Sequence, residues 1–224
     1  MFALIPAAGS GLRSAAATPK QYASLAGRPM LWHAIRALCV PQVQCVFVVL
    51  APEDKVFAQH DWSAFGGKLQ PLYCGGGSRR DSVHNGLVAT MDEVGADDWM
   101  LVHDAARPCL SGEDLRNLMS ACEGDAVGGI LALPVAETVK RGLQERIRET
   151  LDRSVLWLAQ TPQMFRAGLL LHALRQARAP VTDEASAVEQ LGLKPKLVQG
   201  SRENLKVTWP EDFALAESIL GRTR

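Results

Sequence analysis

The sequence lacks the patterns of a zinc site, a disulfide framework and a nucleic-acid-binding surface. Its five cysteines are odd in number and form no CxxC pair, which excludes the common zinc and disulfide spacings. Lysine plus arginine equals aspartate plus glutamate, at 24 each, and no block of like charge occurs. Because a nucleic-acid surface needs a basic stripe, we expect no nucleic-acid partner.

Long hydrophobic runs are missing as well. The first apolar run ends at Pro6 and follows no basic segment, so the sequence predicts neither a signal peptide nor a membrane span. We therefore expect a cytoplasmic protein with no membrane partner. The hydrophobic content of 47% over 224 residues is nevertheless enough for a full core, which argues against disorder.

Short apolar runs alternate with longer amphipathic segments along the chain. This alternation predicts one α/β domain over residues 1–224, with a doubly wound, mostly parallel sheet. Its ligand is expected at the carboxyl ends of the strands. The predicted strands are Phe2–Ile5, Val43–Leu50, Leu69–Tyr73, Trp99–His103 and Val127–Leu133. The predicted helices are Pro29–Leu38, Pro52–His60, Arg80–Val94, Glu113–Cys122, Ala167–Ala177, Asp183–Leu191 and Glu211–Leu220.

Residues 136–154 interrupt the alternation with nine charged side chains. The segment follows an apolar strand that ends at Pro134 and precedes the apolar run 155–158. We expect a surface excursion, such as a hairpin arm, that projects from the domain.

The loop after the first strand, residues 6–13, reads PAAGSGLR. Because most of these residues have almost no side chain, backbone N–H groups can close on a polyphosphate. Two cations that follow, Arg13 and Lys20, can neutralise charge at an attacked phosphate. The loop is not a Walker A motif, since Lys20 lies nine residues beyond Gly11, and it lacks the third glycine of a dinucleotide fingerprint. A plain glycine turn is the alternative.

A second glycine loop, residues 74–83, reads CGGGSRRDSV. Its three glycines allow a flat ligand to approach the backbone, and Ser82 is predicted to begin a helix whose free N–H groups attract polar or anionic groups. A turn with Ser78 or Asp81 as the helix cap is the alternative, and it is compatible with binding.

The third loop, residues 103–108, reads HDAARP. Asp104 follows a buried strand at the carboxyl edge of the sheet and suits a hard cation such as magnesium, while Arg107 suits a phosphate. An Asp104–Arg107 ion pair that closes the turn is the alternative. We expect His103 to be a packed, hydrogen-bonded residue, since no second histidine has metal-ligand spacing. Residues 158–165 and 204–212 are interpreted as loops, with Lys206 as a strand residue that reaches solvent.

Together these segments resemble, nearly end to end, the 2-C-methyl-D-erythritol 4-phosphate cytidylyltransferase family. The matching segments are Pro6–Arg13, Pro19–Gln21, Gly75–Val83, Val102–Pro108, Thr161–Phe165, Thr182–Ser186 and Asn204–Asp212. The resemblance implies a Rossmann-like nucleotidyltransferase fold whose protruding arm joins a homodimer. It implies transfer of CMP from CTP to 2-C-methyl-D-erythritol 4-phosphate, in the non-mevalonate isoprenoid pathway, with Mg²⁺ or another divalent cation on the triphosphate.

The resemblance also implies roles for individual residues. The implied catalytic residues are Arg13, Lys20, Arg153 and Lys206. The implied CTP-binding residues are Ala7, Ala8, Gly9, Gly11, Gly75, Gly76, Ser82, Asp104 and Ala105, with Asp104 also at the metal. The implied acceptor-binding residues are Arg107, Thr138, Arg153, Thr161 and Lys206. Because Thr138 and Arg153 lie on the arm, they are implied to complete the site of a second subunit.

Two alternative functions remain: an enzyme with a different acceptor substrate and a protein without catalytic activity. A cytidylyltransferase of the same fold that acts on another polyol phosphate, such as ribitol 5-phosphate, would share both glycine loops and differ around Arg153, Thr161 and Lys206. A nucleotide-sensing module without activity would need nucleotide binding alone, and the pair Arg13 and Lys20 argues against it.

Overall fold

The computed structural model describes residues 1–9 and 19–222. The strands are β1 (Phe2–Pro6), β2 (Ser24–Leu25), β3 (Arg28–Pro29), β4 (Val46–Val49), β5 (Leu69–Leu72), β6 (Trp99–Val102), β7 (Gly128–Pro134), β8 (Val139–Leu143), β9 (Arg146–Leu151), β10 (Trp157–Arg166) and β11 (Lys196–Gln199). The helices are α1 (Met30–Leu38), α2 (Arg79–Ala89), α3 (Gly112–Cys122), α4 (Ala167–Gln176), α5 (Glu184–Glu189) and α6 (Glu211–Arg222). Short 3₁₀ segments include Lys20–Tyr22 and Phe57–Gln59.

A seven-stranded sheet organises the described residues, in the order β11-β7-β10-β6-β1-β4-β5. Strand β1 pairs in parallel with β4 and β6, and β4 with β5. Strand β10 runs antiparallel to both of its neighbours, β6 and β7. The predicted α/β class with a mostly parallel sheet is confirmed, and the carboxyl ends of β1, β4 and β6 meet at one edge.

Side chains of β1 alternate between the two faces of the sheet. Ala3 and Ile5 pack in one core cluster with residues of α1 and α3, whereas Phe2 and Leu4 pack in the other with residues of α2 and α4. Because successive side chains of a strand point to opposite faces, an apolar run is the pattern of a strand covered on both sides. The sheet is therefore doubly covered, as predicted, and its polar groups are concentrated at the strand ends.

The predicted helix Pro52–His60 is wrong: the segment holds turns and the short 3₁₀ segment Phe57–Gln59. One oxygen of Asp54 accepts from the backbone N–H groups of Val56 and Phe57, at 2.8 and 3.0 Å. Its other oxygen accepts from the Tyr22 hydroxyl at 2.6 Å. A short acidic side chain that binds the next backbone donors competes with helix formation.

Two strands near the C-terminal half, β10 and β11, were absent from the predicted set. Residues 158–165, interpreted as a loop, form most of β10, and the polar residues Gln160, Thr161 and Gln163 are buried in it. They interrupt the apolar pattern that predicts a strand. The ladder shifts register between Ala159 and Gln163. Polar side chains thus enter the interior at the edge where the site lies.

The charged segment contains a separate hairpin. Strands β8 and β9 pair with each other in a two-stranded sheet outside the seven-stranded one. Residues 140–150 are exposed throughout, including the apolar side chains of Leu143 and Ile147. Among the described residues, no helix has the length and apolar character needed to cross a membrane.

Candidate active site

A cavity of about 490 Å³ lies where the two glycine loops, the loop 103–108 and the loop that carries Lys206 converge. Its lining includes Pro6, Ala7, Ala8, Gly9, Lys20, Gln21, Met30, Gly76, Gly77, Ser78, Arg79, Ser82, Asp104, Ala105, Ala106 and Lys206. Most residues that the sequence predicted for nucleotide binding are thereby brought together. Gly11 and Arg13 lie outside the described residues.

Ala7 extends the sheet by one residue into this cavity. Its N–H donates to the Val49 carbonyl at 2.8 Å, and its carbonyl accepts from the buried Gln21 amide at 2.7 Å. Both backbone groups of Ala7 therefore have partners within the fold, and Ala7 lines the cavity. Gln21 also fixes the neighbouring Lys20 segment against β1.

The second glycine loop is packed tightly against the first. A Cβ on Gly75 would collide with the Cβ of Ala8 and lie 2.8 Å from the Leu50 carbonyl oxygen. The N–H of Gly76 donates to the Ser82 hydroxyl at 3.1 Å. These contacts require glycine and leave the loop backbone close to the cavity.

Helix α2 starts at Arg79, one residue before the predicted Arg80, with Ser78 as its N-cap, so Ser82 does not begin it. The Ser78 hydroxyl accepts from the Asp81 N–H at 3.1 Å, which confirms the predicted cap. Ser82 lies in the first turn and donates to the Ser78 carbonyl at 3.0 Å. The helix ends at Ala89, before the predicted Val94, where the Thr90 hydroxyl binds the carbonyls of Gly86 and Leu87.

Asp104 is the centre of a cluster of charges. Its Oδ1 accepts from Arg79 Nε at 2.9 Å and its Oδ2 from Lys206 Nζ at 2.8 Å. Arg107 Nε is more distant, at 4.0 Å from Oδ2. Burial opposes the charged form of Asp104, but Arg79, Lys206 and Arg107 together outweigh it and hold the pKa well below its usual range. Asp104 is thus a fixed anion.

Thr161 and His103 bind the backbone of Asp104 through a chain of hydrogen bonds. The His103 Nε2 lies 3.0 Å from the Arg107 carbonyl, which can only accept, so Nε2 carries the proton and Nδ1 accepts from the Thr161 hydroxyl at 3.0 Å. The Thr161 oxygen in turn accepts from the Asp104 N–H at 2.9 Å. Burial lowers the pKa of His103 to about 4, which keeps the ring neutral. His103 is packed and hydrogen-bonded, as predicted.

Arg107 and Lys206 face two further cavities, of about 350 and 230 Å³. The terminal nitrogens of Arg107 donate to the carbonyls of Asn204 and Ala159, at 2.6 and 3.3 Å, while its Nε faces Asp104. Lys206 lies in an irregular loop, not in a strand as expected. It lines all three cavities. The Asp104–Lys206 ion pair therefore marks their boundary.

Lys20 reaches the first cavity from the 3₁₀ segment Lys20–Tyr22. Its Nζ donates to the Thr208 carbonyl at 2.7 Å, next to the loop that carries Lys206. Two lysines distant in sequence thus approach the same cavity from one side, and both can reach an anion bound there.

The two predicted residues on the arm, Thr138 and Arg153, are exposed and line none of the three cavities. Arg153 donates to the carbonyl of Ala136 at the base of the hairpin. The neighbouring Glu137 does line the second cavity. Within the described residues of one chain, the root of the arm meets the site and these two side chains do not.

The chain matches the family model described as 2-C-methyl-D-erythritol 4-phosphate cytidylyltransferase over residues 1–222. The protein of that name from Dechloromonas aromatica (strain RCB) is 54% identical over 221 residues, covering 98% of this chain and 96% of that protein. This chain belongs to the 2-C-methyl-D-erythritol 4-phosphate cytidylyltransferase family.

Solved structures of cytidylyltransferases match the fold as well. The crystal structure of 4-diphosphocytidyl-2C-methyl-D-erythritol synthase has a TM-score of 0.86 and 40% identity, covering 98% of this chain and 97% of the other. The cytidylyltransferase from Francisella tularensis has a TM-score of 0.81 and 35% identity, covering 97% and 98%.

Sequence reasoning missed two charged residues in this cytidylyltransferase, Arg79 and Glu184. Arg79 lies in the second glycine loop at the start of α2, and Glu184 is the first residue of α5. The two nitrogens Nη1 and Nη2 of Arg79 donate to Oε1 and Oε2 of Glu184, at 2.6 and 3.0 Å. The motif segments Gly75–Val83 and Thr182–Ser186 contain both residues, but only the fold brings them together.

The donor set around the first cavity fits a magnesium ion that takes few protein ligands. Among the described residues, Asp104 is the one carboxylate in the cavity lining, and no group of three or more His, Cys, Asp or Glu side chains is placed to hold a metal. Magnesium commonly binds one or two carboxylates and takes its remaining ligands from phosphates and water. Because a carboxylate oxygen has two lone pairs, Asp104 could bind such a metal and keep its contacts with Arg79 and Lys206.

Proposed function

We propose that the protein transfers the CMP group of CTP to the phosphate of 2-C-methyl-D-erythritol 4-phosphate, giving the CDP-linked product and pyrophosphate. The observation that carries the proposal is the position of the Asp104–Lys206 ion pair between the nucleotide-sized cavity and the two cavities beside Arg107. The family match over residues 1–222 also supports the proposal, because it identifies a nucleotidyltransferase of the non-mevalonate isoprenoid pathway.

The reaction needs no protein nucleophile. An acceptor phosphate oxygen attacks the α-phosphorus of CTP, a new P–O bond forms, and the bond to pyrophosphate breaks with its electron pair leaving on pyrophosphate. The acceptor oxygen is already an anion at neutral pH, so catalysis consists of alignment and charge stabilisation. Four cations, Arg79, Arg107, Lys20 and Lys206, outnumber the three carboxylates of the described cluster, which are Asp104, Asp183 and Glu184. The surplus of positive charge suits anions.

The first cavity is the proposed CTP site. Its walls of alanine and glycine, with Ala8, Gly9 and Ala105 in the lining, favour a small pyrimidine over a purine. We assign Lys20, together with Arg13, to the charge that develops as pyrophosphate leaves. Ser82 hydrogen-bonds within the loop at Ser78 and Gly76 and is assigned to shape the base pocket.

The cavities beside Arg107 are the proposed acceptor site. Lys206 is assigned to the acceptor phosphate, because it borders both sides of the site. Arg107 adds a guanidinium whose terminal nitrogens meet only carbonyl oxygens. Thr161 lines the smaller of these cavities and is assigned to the acceptor, while its hydroxyl also accepts from the Asp104 N–H and donates to His103.

We assign the divalent cation, Mg²⁺, to Asp104 and the phosphates of CTP, where it would neutralise triphosphate charge. Removing divalent cations with a chelator is expected to abolish pyrophosphate release, and added Mg²⁺ to restore it. An undiminished rate in the presence of excess chelator would contradict this assignment.

We propose that the hairpin of β8 and β9 joins a homodimer and that Thr138 and Arg153 complete the site of the second subunit. The exposed apolar side chains of Leu143 and Ile147, 61% and 68% accessible, support this use of the arm. Mixing an Arg13→Ala variant with an Arg153→Ala variant should restore part of the activity through one intact shared site. No recovery after demonstrated subunit exchange would favour self-contained sites.

The expected cytoplasmic location stays a prediction, supported by five free thiols.

Product analysis tests the proposed reaction. Purified protein is incubated with CTP and Mg²⁺, and with either 2-C-methyl-D-erythritol 4-phosphate or ribitol 5-phosphate. Pyrophosphate release and a CDP-linked product are expected with the first acceptor and only background without an acceptor. Faster turnover of ribitol 5-phosphate would assign the protein to the alternative acceptor, and binding of CTP without turnover of either acceptor would leave only a nucleotide-binding module.

A further inference from the structure

Glu184 is a buried carboxylate outside all three cavities, with a residue exposure of 1%. Both of its oxygens accept from the terminal nitrogens of Arg79, at 2.6 and 3.0 Å. Burying such a pair is costly, and well-packed apolar residues of similar volume often replace it without loss of stability. The pair therefore needs a reason other than stability.

The remaining nitrogen of Arg79 connects this pair to the site. Its Nε donates to Asp104 Oδ1 at 2.9 Å, and Asp104 Oδ2 accepts from Lys206 Nζ at 2.8 Å. The four side chains thus form an alternating chain of charges, Glu184–Arg79–Asp104–Lys206. It runs from the start of α5, past the start of α2, to the boundary between the cavities.

Glu184 decides how Arg79 meets Asp104. A guanidinium is a rigid planar fork that prefers to bind both oxygens of a carboxylate through two parallel N–H groups. Because Glu184 binds both terminal nitrogens, the Arg79 guanidinium is held in one orientation, in which Nε donates to Oδ1 of Asp104. Asp104 consequently keeps Oδ2 for Lys206.

We propose that Glu184 is a positioning residue: by binding both terminal nitrogens of Arg79, it fixes the guanidinium so that Arg79 meets one oxygen of Asp104 and leaves the other to hold Lys206 between nucleotide and acceptor. The naming of the two sides as nucleotide and acceptor rests on the proposed function, whereas the contacts among the four side chains do not.

A positioning role predicts other kinetic changes than a purely electrostatic or a purely structural role of Glu184. Glu184→Gln removes a negative charge near a site for anions, so electrostatics alone would leave CTP binding unchanged or tighter. A released Arg79 would compete with Lys206 for Asp104, and small misplacements of a positioning group can slow a reaction by about 100-fold. Positioning of Lys206 therefore predicts mainly a higher acceptor KM, without a higher CTP KM.

The experiment combines Glu184→Gln, Lys206→Met and the double variant, with Glu189→Gln as the control. Glu189 is exposed on the same helix α5, so its variant is expected to behave as wild type. We expect Glu184→Gln to lower kcat over acceptor KM by about 10- to 100-fold. The double variant should be no worse than Lys206→Met alone, because residues that act through one another are not additive.

Multiplicative losses in the double variant, or a raised CTP KM with an unchanged kcat, would overturn the proposal. Thermal unfolding of every variant identifies a loss caused by misfolding. Should Glu184→Gln not fold, Glu184→Asp keeps the charge but shortens the reach, and it should show a smaller loss in the same direction. An unchanged kcat and acceptor KM in a folded variant would also overturn it.

A crystal structure of Glu184→Gln separates this inference from the proposed function. Arg79 is expected on both oxygens of Asp104, with Lys206 Nζ displaced from Oδ2. An unchanged Lys206–Asp104 contact would overturn the positioning role whatever acceptor the enzyme uses, whereas failure of the wild-type enzyme to use the proposed acceptor would affect the assigned reaction only.

Discussion

The two sides of Asp104 are built in different ways. On the nucleotide side, short contiguous loops follow parallel strands, and their small residues place the backbone at the cavity. On the acceptor side, the antiparallel strand β10 and the loop 201–207 are joined by contacts between distant residues. Asn204, fully buried, donates to the Thr161 carbonyl at 2.8 Å and accepts from Arg107 through its own carbonyl at 2.6 Å.

The difference teaches where each side can fail. The nucleotide side depends on the absence of side chains, so an added methyl group harms it. The acceptor side depends on charges held by a buried polar network, so protonation or loss of one member harms it. A common element, the Asp104 carboxylate, links the two sides through Arg79 and Lys206.

The largest expected effect separates the two lysines. Lys20→Met should lower kcat by about 10²- to 10³-fold, as for loss of a group that stabilises transition-state charge, with a small change in CTP KM. Lys206→Met should mainly raise the acceptor KM, by about 10- to 100-fold, because a hydrogen bond to a charged group contributes about 1.5–3 kcal/mol.

Initial rates with each substrate varied in turn measure both effects. The exposed Lys55 provides a control as Lys55→Met, which removes one positive charge from a residue that lines none of the three cavities. If both lysine variants showed the same fall in kcat and the same rise in acceptor KM, the two sides of the site would not have the distinct roles proposed.

The same contrast explains what the sequence could predict. Each nucleotide-side motif is contiguous, so the glycine loops, Ser78 as a cap and Asp104 after a buried strand were all visible as local patterns. The acceptor side was interpreted as loops, because Gln160, Thr161 and Gln163 give β10 a polar pattern. Their burial follows from partners such as Asn204 and Asp183, which lie far along the chain.

Charge pairs were the least predictable feature. The Asp104–Arg107 pair was a sequence-based alternative, yet the nearer partners of Asp104 are Arg79 and Lys206. Helix Pro52–His60 failed for a related reason, since Asp54 bonds both its local backbone and the distant Tyr22. In each case an acidic side chain has both local and distant potential partners, and the tertiary structure determines which of them it binds.

Acidification should lower the stability of the folded protein through His103, on the acceptor side, and this is the effect of intermediate size. Burial lowers the pKa of His103 to about 4, whereas in the unfolded chain it is about 6.5. Between these values the unfolded chain binds a proton that the folded chain does not, so stability falls as the pH drops from 6.5 to 4. The total loss is on the order of 3 kcal/mol, and above pH 6.5 this residue contributes no pH dependence.

Denaturant unfolding at several pH values between 4 and 7 measures this slope. His103→Gln should flatten it while lowering stability at neutral pH, because Gln cannot titrate. His172→Gln, at an exposed histidine on α4, should retain the slope. A wild-type slope in His103→Gln would show that other groups cause the acid sensitivity.

The smallest effect is expected on the nucleotide side, within one loop. A methyl group on Gly75 would meet the Cβ of Ala8 and the Leu50 carbonyl, both on β-strand continuations that cannot move freely. Overpacking of this kind costs about 1–3 kcal/mol. A methyl group on Gly77 would meet no atom within 4 Å, so Gly77→Ala should leave the free energy of unfolding nearly unchanged. Gly75→Ala should also weaken CTP binding, because Ala8 lines the cavity. If both variants unfolded alike, the two glycine loops would not be packed as tightly as these contacts require, and the contrast between the two sides of Asp104 would lose its physical basis.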